Sequence, residues 1–401
     1  MTAPGPVVGK VSGIGLILLL PLCLSAAVKN GIDVLIEQDF APLAGKRVGL
    51  ITNHSGLTYD GRRTIDVLAN SSKVKLVAIF TSEHGLAGAR DGESVASGKD
   101  AATGLPIYSL YQEHSRRPAP EMLQGLDALV FDIQDAGARF YTFITTMGYT
   151  MEEAGKNHIS FYVLDRPNPI GGLAVEGPLL EPKYFSMVGY MRMPIRHGMT
   201  VGEVAQFFNG EKKLGVDLHV IAMQGWRRSM FFDETGLEWI APSPNLRNLT
   251  EATLYPGSCL LEAISVGRGT DTPYEIVGAP WFQGKAVADW LNAQNLPGVR
   301  FLARRFRPTA APYKDQDCDG LDIQLVDRRV FNSVRMGLAL LAATMKFHPG
   351  KFDMDKTMRL LGDGDVAARL KHGESVDAIE ASFQPQLREF LKLRQRYLLY
   401  R

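Results

Sequence analysis

Residues 48–56 read VGLITNHSG, a continuous apolar run that gives way at once to polar residues and a glycine. Similar apolar runs recur between amphipathic stretches, at Leu76–Thr81, Ile107–Leu110, Leu129–Ile133 and Phe161–Leu164. Such runs are typical of parallel strands buried on both faces, and the segments between them are long enough for crossover helices. The pattern predicts an α/β fold whose N-terminal domain is Rossmann-like and built on a mostly parallel sheet.

Two helices are predicted within this alternation, at Thr142–Gly155 and at Thr200–Lys213, and the second begins with a capping box. The polar, proline-rich segment Ala241–Leu254 then interrupts the pattern and is the predicted domain border. We expect a Rossmann-like domain over residues 28–250 and a smaller α/β domain over residues 251–401. The smaller domain is predicted to contain helices at Gln283–Ala293, Ser333–Phe347 and Val376–Leu399 and strands at Val299–Phe306 and Leu321–Val326.

The N-terminus resembles a secretory signal peptide. Lys10 precedes the apolar run Ile14–Leu22, and small residues follow, so we predict a signal peptide over residues 1–27. The run is too short to cross a bilayer, because a spanning helix needs about 20 residues. Cys23 lies near the position of a lipid attachment site, but the bulky residue before it makes a lipoprotein the weaker alternative. The mature protein is therefore expected in the periplasm or outside the cell.

Composition limits the partners and the covalent chemistry. Lysine and arginine total 44 against 43 acidic residues, so no overall charge recruits nucleic acid or an anionic membrane surface. Any anionic ligand must then be held by local arginines, and no protein partner is indicated. After cleavage, Cys259 and Cys318 would be the remaining cysteines. An oxidising compartment permits a disulfide between them, and two buried thiols are the equal alternative.

Polar and charged residues cluster directly after the predicted strands. In open parallel sheets, ligands bind beyond the carboxyl ends of the strands, so these residues are expected to converge. Any one of them has a simpler explanation, since Asp, Asn, Ser and Pro are favoured at turns and helix caps. Their recurrence at successive strand ends favours a binding or catalytic site. The residues concerned are Asn53, Glu83, His84, Asp132, Gln134, Asp135, Arg139, Tyr141, Asp165, Arg166 and Asn168.

Several common sites are missing from the sequence. There is no G-x-G-x-x-G turn after the first strand, no P-loop and no G-x-S-x-G elbow, so the Rossmann-like alternation does not imply a nucleotide. A metal site built from His54, His84, His197 and Asp132 is conceivable, but no H-E-x-x-H or similar close spacing supports it. We therefore predict no metal and no cofactor.

The strongest signal is a series of motifs along the chain. They include Gly49-Leu50-Ile51-Thr52-Asn53, Glu83-His84-Gly85, Phe131-Asp132-Ile133-Gln134-Asp135, Leu164-Asp165-Arg166-Pro167-Asn168-Pro169, Val175-Glu176-Gly177-Pro178, Pro194-Ile195-Arg196-His197-Gly198 and Gly267-Arg268-Gly269-Thr270. Together they resemble the NamZ-type exo-β-N-acetylmuramidase family, also known as YbbC-like proteins, from about Lys46 to the C-terminus. The resemblance implies release of single N-acetylmuramic acid units from the non-reducing ends of peptidoglycan fragments, in a cleft between two domains and without a redox cofactor.

The resemblance also implies roles for individual residues. Cleavage of a glycosidic bond needs a carboxylic acid and usually a second carboxylate. Glu83 matches the glutamate of the family's Glu-His-Gly motif and is the predicted acid. Glu176 matches a second glutamate, with Asp135 as the alternative partner, and the substrate's acetamido group could also take part. Thr81-Ser82 stands where many relatives read Gly-Pro, a departure in the turn that aims Glu83 that leaves the carboxylate itself in place.

The lactyl carboxylate distinguishes this substrate from glucosamine, and a guanidinium recognises a carboxylate well. Arg139, Arg196 and Arg268 are the candidates, and an ion pair within the protein is the alternative for each. His197 and Asn245 complete the predicted substrate contacts. Two other functions stay open: an exported muropeptide-binding protein that does not cleave its ligand, and a metal-dependent hydrolase.

Overall fold

The computed structural model describes residues 1–5, 27–88, 96–112 and 115–401. The predicted signal peptide falls almost entirely on residues 6–26 and so lies outside the described residues. Among the residues that are described, no helix has both the length and the apolar character needed to cross a membrane.

Strands and helices alternate through the first half of the chain, and helices dominate the second. The strands are β1 (Arg47–Thr52), β2 (Lys75–Thr81), β3 (Gly98–Lys99), β4 (Pro106–Ser109), β5 (Ala128–Asp132), β6 (Ser160–Leu164), β7 (Glu176–Leu179), β8 (Pro194–Arg196), β9 (Leu218–Ile221), β10 (Ile276–Ala279), β11 (Val299–Phe306) and β12 (Cys318–Leu325). The helices are α1 (Gly31–Glu37), α2 (Thr64–Ala69), α3 (Pro120–Leu123), α4 (Thr142–Lys156), α5 (Val201–Glu211), α6 (Leu249–Ser258), α7 (Gly284–Ala293), α8 (Ser333–Phe347), α9 (Met354–Leu361), α10 (Gly364–Lys371) and α11 (Val376–Arg394).

The large sheet confirms the predicted fold class. Within the described residues it has seven strands in the order β3-β4-β2-β1-β5-β6-β9, and every pair is parallel except β3 with β4. All five residues of β5 are buried, as expected for a central strand covered on both faces. From β1 the chain adds β2 and β4 on one side, and it then crosses to the other side of β1 to add β5, β6 and β9. The switch point of this doubly wound sheet therefore lies between β1 and β5.

The second half of the chain adds a smaller α/β unit. Its sheet, in the described residues, has the order β10-β12-β11 with antiparallel pairing, and α6, α7 and α8 pack against one another or against that sheet. Helices α6 and α8 approach closely because Gly257 faces α8: a Cβ on Gly257 would lie 1.9 Å from the carbonyl oxygen of Ser333. One cluster of buried apolar side chains includes Phe131 of the large sheet and Leu341 of α8, so the two units share a core.

Capping residues fix the beginnings of two helices. In α5, Thr200 accepts a hydrogen bond from the amide of Glu203, and the Glu203 carboxylate accepts one from the amide of Thr200, which confirms the predicted capping box. In α6, Asn248 accepts from the amide of Glu251. Helix α6 therefore begins inside the proline-rich segment and runs across residue 250, where the domain border was predicted.

Candidate active site

A cleft with an internal volume of about 250 Å³ lies between the large sheet and the smaller unit. Small-molecule sites usually enclose roughly 300–1,000 Å³, so this cleft lies just below the lower end of that range, a size that suits a single sugar ring. One wall comes from the end of β2 and the beginning of α4, and the opposite wall comes from α6 and the segment that follows it. The lining residues include Glu83, His84, Phe140, Tyr141, Thr142, Ser243, Asn245, Tyr255, Cys259, Glu262, Arg268 and Tyr274.

Glu83 lies on the sheet side of this cleft, directly after β2. The chain turns sharply here because His84 and Gly85 have φ angles of +69° and +72°, in the left-handed region. The hydroxyl of Thr142, the first residue of α4, donates a hydrogen bond to Oε2 of Glu83. Oε1 makes no hydrogen bond to the described residues, and the side chain is partly exposed. The unusual sequence before Glu83 therefore leaves its carboxylate on the cleft wall.

Aromatic side chains form the floor of the cleft. Tyr141 packs edge-on against Tyr255 with ring centroids 6.0 Å apart, and Tyr255 packs edge-on against Tyr274 at 4.8 Å. Burial and the nearby carboxylates of Glu83 and Asp135 raise the pKa of Tyr141 well above its ordinary value. The phenol is therefore neutral at physiological pH.

The opposite wall carries Glu262, which the sequence analysis missed. A terminal nitrogen of Arg268, Nη2, donates to Oε1 of Glu262 and, over 3.0 Å, to the hydroxyl of Tyr274. The Cys259 thiol also donates to Oε1 of Glu262, over 3.1 Å. The side chains of Glu262 and Arg268 are each about one-third exposed to the cleft. Nothing in the local sequence marks Glu262, which follows a short 3-10 turn, except that it stands six residues before Arg268.

Asp135 and His197 form a buried pair of groups. Oδ2 of Asp135 accepts a hydrogen bond from the amide of Gly137 and lies 3.6 Å from Nε2 of His197. Nδ1 of His197 accepts from the amide of Met199, so the proton of the neutral ring is on Nε2, facing Asp135. Both side chains are at least 95% buried, and neither lines the cleft.

Glu176 and Arg196 lie away from the cleft, in the β7–β8 hairpin. Nη1 of Arg196 is 2.6 Å from Oε1 of Glu176, and both side chains are almost completely buried. Oε2 of Glu176 accepts a hydrogen bond from the amide of Val334 at the beginning of α8. Nη2 of Arg196 donates to the carbonyl of Ile170. Glu176 is thus an ion-pair partner and a helix cap, and the structure does not support its role as the second catalytic group.

Arg139 holds the two halves of the molecule together. Its guanidinium is fully buried and donates to the carbonyls of Pro178, Met193, Leu360 and Leu361 over 2.5–3.1 Å. The last two carbonyls belong to the final turn of α9, where helices leave carbonyl groups without partners. The predicted contact of Arg139 with a ligand carboxylate is therefore not supported.

The acidic residues after β5 and β6 also have structural partners. Asp132 accepts from Nε of Arg166 at 2.5 Å and from the hydroxyl of Thr64, so it is an ion-pair partner of Arg166. Asp165 is completely buried and accepts from the hydroxyl of Thr200 and the amide of Gly202 at the beginning of α5.

Three further predicted contacts lie at the edge of the large sheet. Asn168 donates to the carbonyl of Met199 and is buried. Asn53 accepts from the amide and hydroxyl of Ser55, which in turn accepts from the amide of Gln134. Gln134 lines a separate cavity near the switch point, not the cleft. Of the predicted site residues, the cleft brings together Glu83, His84, Tyr141, Asn245 and Arg268.

Cys259 and Cys318 are free and buried, so the disulfide alternative is wrong. Burial raises the pKa of the Cys259 thiol well above its ordinary value, which keeps it protonated. In the part of the chain that the structure describes, no three His, Cys, Asp or Glu side chains converge as a metal site would require. Asp132, one of the residues considered for a metal, is instead used by Arg166.

The fold and the cleft define a class of protein. It is a two-part α/β protein whose halves enclose an aromatic-rich pocket with a carboxylate on each wall, an arrangement suited to hydrolysis of glycosidic bonds. Family models for exo-β-N-acetylmuramidase NamZ match residues 48–250 with the N-terminal domain and residues 253–400 with the C-terminal domain. The chain belongs to this family.

Relatives support the same assignment. The chain is 42% identical over 379 residues to the peptidoglycan β-N-acetylmuramidase NamZ of Bacillus subtilis strain 168, covering 93% of this chain and 91% of the relative. Two crystal structures of DUF1343 family proteins from Bacteroides fragilis NCTC 9343 are also similar. One has a TM-score of 0.87 at 37% identity and covers 94% of this chain and 99% of its own. The other has a TM-score of 0.77 at 30% identity, with 93% and 99% coverage.

Proposed function

We propose that this protein is an exo-acting glycoside hydrolase that releases N-acetylmuramic acid from the non-reducing ends of peptidoglycan fragments. The observation that carries the proposal is the position of Glu83, on the wall of a cleft large enough for a sugar and held by Thr142. The Bacillus subtilis relative is a peptidoglycan β-N-acetylmuramidase, which supports the choice of substrate.

In the proposed reaction, Glu83 protonates the glycosidic oxygen as the bond to the leaving sugar breaks. Among the described residues, the carboxylates that line the cleft are Glu83 and Glu262, and Glu262 is engaged by Arg268 and Cys259. Glu176 is held by Arg196. This distribution favours the substrate's own acetamido oxygen as the nucleophile: it bonds to the anomeric carbon as the leaving sugar departs, and water that gives its proton to the Glu83 carboxylate then opens the oxazoline intermediate. The neutral phenol of Tyr141 can donate a hydrogen bond within the same cleft.

We further propose that the protein is exported to the periplasm or secreted, and that it acts on peptidoglycan fragments there. Val28, the residue after the predicted cleavage position, is fully buried, and its amide donates to the carbonyl of Thr235. Cleavage after Ala27 would turn this buried nitrogen into the α-amino group of the mature chain, which can still donate to the carbonyl of Thr235. Mass spectrometry of the mature protein from its producing cells checks the proposal: an N-terminus at Val28 supports export, and an intact residue 1 contradicts it.

The activity is tested with para-nitrophenyl β-N-acetylmuramide and the matching glucosaminide, using purified protein from residue 28 onward. We expect turnover of the muramide and loss of at least about 100-fold in kcat in Glu83→Gln, which keeps the shape of the side chain but cannot protonate the leaving oxygen. The matched control is Glu121→Gln, at an exposed glutamate of α3. Binding of a muropeptide without turnover would instead indicate a binding protein, and loss of activity on chelation would indicate a metal-dependent hydrolase.

A further inference from the structure

Three arginines were candidates for recognition of a ligand carboxylate, and the structure separates them. Arg139 donates to four backbone carbonyls and is fully buried. Arg196 is buried against Glu176. Arg268 alone among the described lysines and arginines lines the cleft, with about one-third of its side chain exposed.

Arg268 is held in one orientation by its neighbours. Nη2 donates to Oε1 of Glu262 and to the hydroxyl of Tyr274, and the guanidinium carbon lies 5.8 Å from the centre of the Tyr274 ring. Nε is buried. Nη1 makes no hydrogen bond to any described residue, so its donors are available to a ligand. A guanidinium fixed on one side and unengaged on the other is suited to a carboxylate.

We propose that Arg268 binds the lactyl carboxylate of the substrate and thereby selects muramic acid over glucosamine, and that Glu262 is the positioning residue that orients Arg268. This inference rests on the proposed function, since it assumes a muramic acid substrate. It goes further, because it assigns the preference for muramic acid over glucosamine to one ion pair on the cleft wall opposite Glu83.

The charges of Glu262 and Arg268 explain why this ion pair distinguishes a muramide from a glucosaminide and does not simply attract every anion. In the empty cleft the charge of Glu262 neutralises Arg268, so a distant anion feels little net attraction. A muramide places its carboxylate against Nη1 at close range, where a charge-assisted hydrogen bond forms. A glucosaminide has no such group and leaves these donors without a protein or substrate partner.

Substitutions at both residues test the proposal on the two chromogenic substrates. In Arg268→Gln we expect kcat/KM for the muramide to fall about 10- to 100-fold, the range for a hydrogen bond to a charged group, while the glucosaminide changes less than about threefold. Arg268→Lys should restore part of the preference, because it supplies a point charge without the planar fork. The control is Arg305→Gln, the same change at an exposed arginine of β11.

Glu262→Gln separates positioning from catalysis. Glutamine still accepts a hydrogen bond from Arg268 but removes the competing charge, so we expect KM for the muramide to fall while kcat stays within about threefold. Collapse of kcat for both substrates with unchanged KM would overturn the proposal and identify Glu262 as a catalytic carboxylate. An equal loss on both substrates in Arg268→Gln would overturn it as well.

Binding measurements keep this inference distinct from the proposed function. If the wild-type protein does not hydrolyse the muramide, the proposed function fails, but calorimetry with free N-acetylmuramic acid and N-acetylglucosamine still tests Arg268. Selective binding of muramic acid that disappears in Arg268→Gln supports the role of Arg268 in binding the lactyl carboxylate. Equal binding of the two sugars by the wild-type protein contradicts it. Circular dichroism and thermal unfolding of each variant verify that it is folded.

Discussion

The hydroxyl of Thr142 donates a hydrogen bond to Oε2 of Glu83, which ties the beginning of α4 to the end of β2. The contact joins two segments that are 59 residues apart in the sequence. It fixes one oxygen of the carboxylate, in a side chain that lines the cleft.

Thr142→Val should therefore reduce kcat by about 10- to 100-fold, because the hydroxyl holds the carboxyl group of Glu83 in place and a misplacement of about 1 Å can cost about 100-fold in rate. Thr142→Ser should keep most of the activity, since it keeps the hydroxyl. The control is Thr145→Val in the same helix, where the buried hydroxyl has no hydrogen-bond partner. Steady-state kinetics on the muramide measure all three, and equal effects in Thr142→Val and Thr145→Val would show that the hydroxyl of Thr142 does not position Glu83.

The pair formed by Glu176 and Arg196 should contribute to stability and not to catalysis. Glu176→Ala leaves the Arg196 guanidinium buried without its partner, so we expect a loss of about 3–5 kcal/mol in the free energy of unfolding. The double variant Glu176→Leu with Arg196→Met should recover much of that loss, because replacing both charges avoids an unpaired one. Urea unfolding measures the stability. A folded Glu176→Gln variant that loses all turnover would instead restore Glu176 as a catalytic residue.

The sequence was sufficient for most of the architecture. The apolar runs at β1, β2, β4, β5 and β6 predicted parallel strands, and in all of these but β4 most residues are buried, which leaves a strong apolar pattern. Strand β9, which pairs with β6 at the sheet edge, was not predicted because its residues alternate between partly exposed and exposed positions before Ile221. Helix α6 was not predicted to begin at Leu249, because prolines and polar residues concealed a helix whose cap is Asn248.

The site was harder to predict than the fold. Position after a strand indicates which residues reach the sheet edge, but not whether their charges are already paired within the protein. Asp132 follows this logic and Glu176 was assigned from the resemblance, yet their partners Arg166 and Arg196 come from other segments of the chain. Glu262 lies in the other half of the chain and does not follow a predicted strand, so a search of the strand ends could not identify it. Such pairings depend on tertiary contacts that local sequence patterns do not record.

The free cysteines give a simple check of the cleft wall. Cys259 and Cys318 are each 2% exposed and unbonded. A thiol reagent such as DTNB should react slowly with the native protein from residue 28 onward and rapidly with both thiols in denaturant, because access and thiolate content are low in the folded state. A reducing agent should leave the melting temperature unchanged. Loss of stability on reduction, or an absence of titratable thiols in denaturant, would contradict the structure.

The last residues of the chain dock on a buried carboxylate that titrates near neutral pH. The hydroxyl of Tyr400 donates to Oδ2 of Asp165 over 2.6 Å. Burial raises the pKa of Asp165 to about 7 from 3.8, although the hydrogen bond from Tyr400 lowers it. Between about pH 4 and 7 the folded protein therefore holds a proton at Asp165 that the unfolded chain has released.

The unfolding free energy should consequently fall as pH rises through this window, by at most about 1.4 kcal/mol per pH unit for one proton, and this contribution should level off above pH 7. Asp165→Asn removes the ionisable group, so its stability should depend less steeply on pH than that of the wild type. Burial also raises the pKa of Glu251 to about 7, so the wild type and Asp165→Asn share a pH dependence of stability from that residue. The contribution of Asp165 is therefore the difference between the two stability profiles. In Tyr400→Phe the window should extend to higher pH, because the hydrogen bond that lowers the pKa of Asp165 is lost. Urea unfolding at pH 5, 6, 7 and 8 measures these slopes, and identical profiles for the wild type and Asp165→Asn would mean that Asp165 is ionised in the folded protein throughout this range.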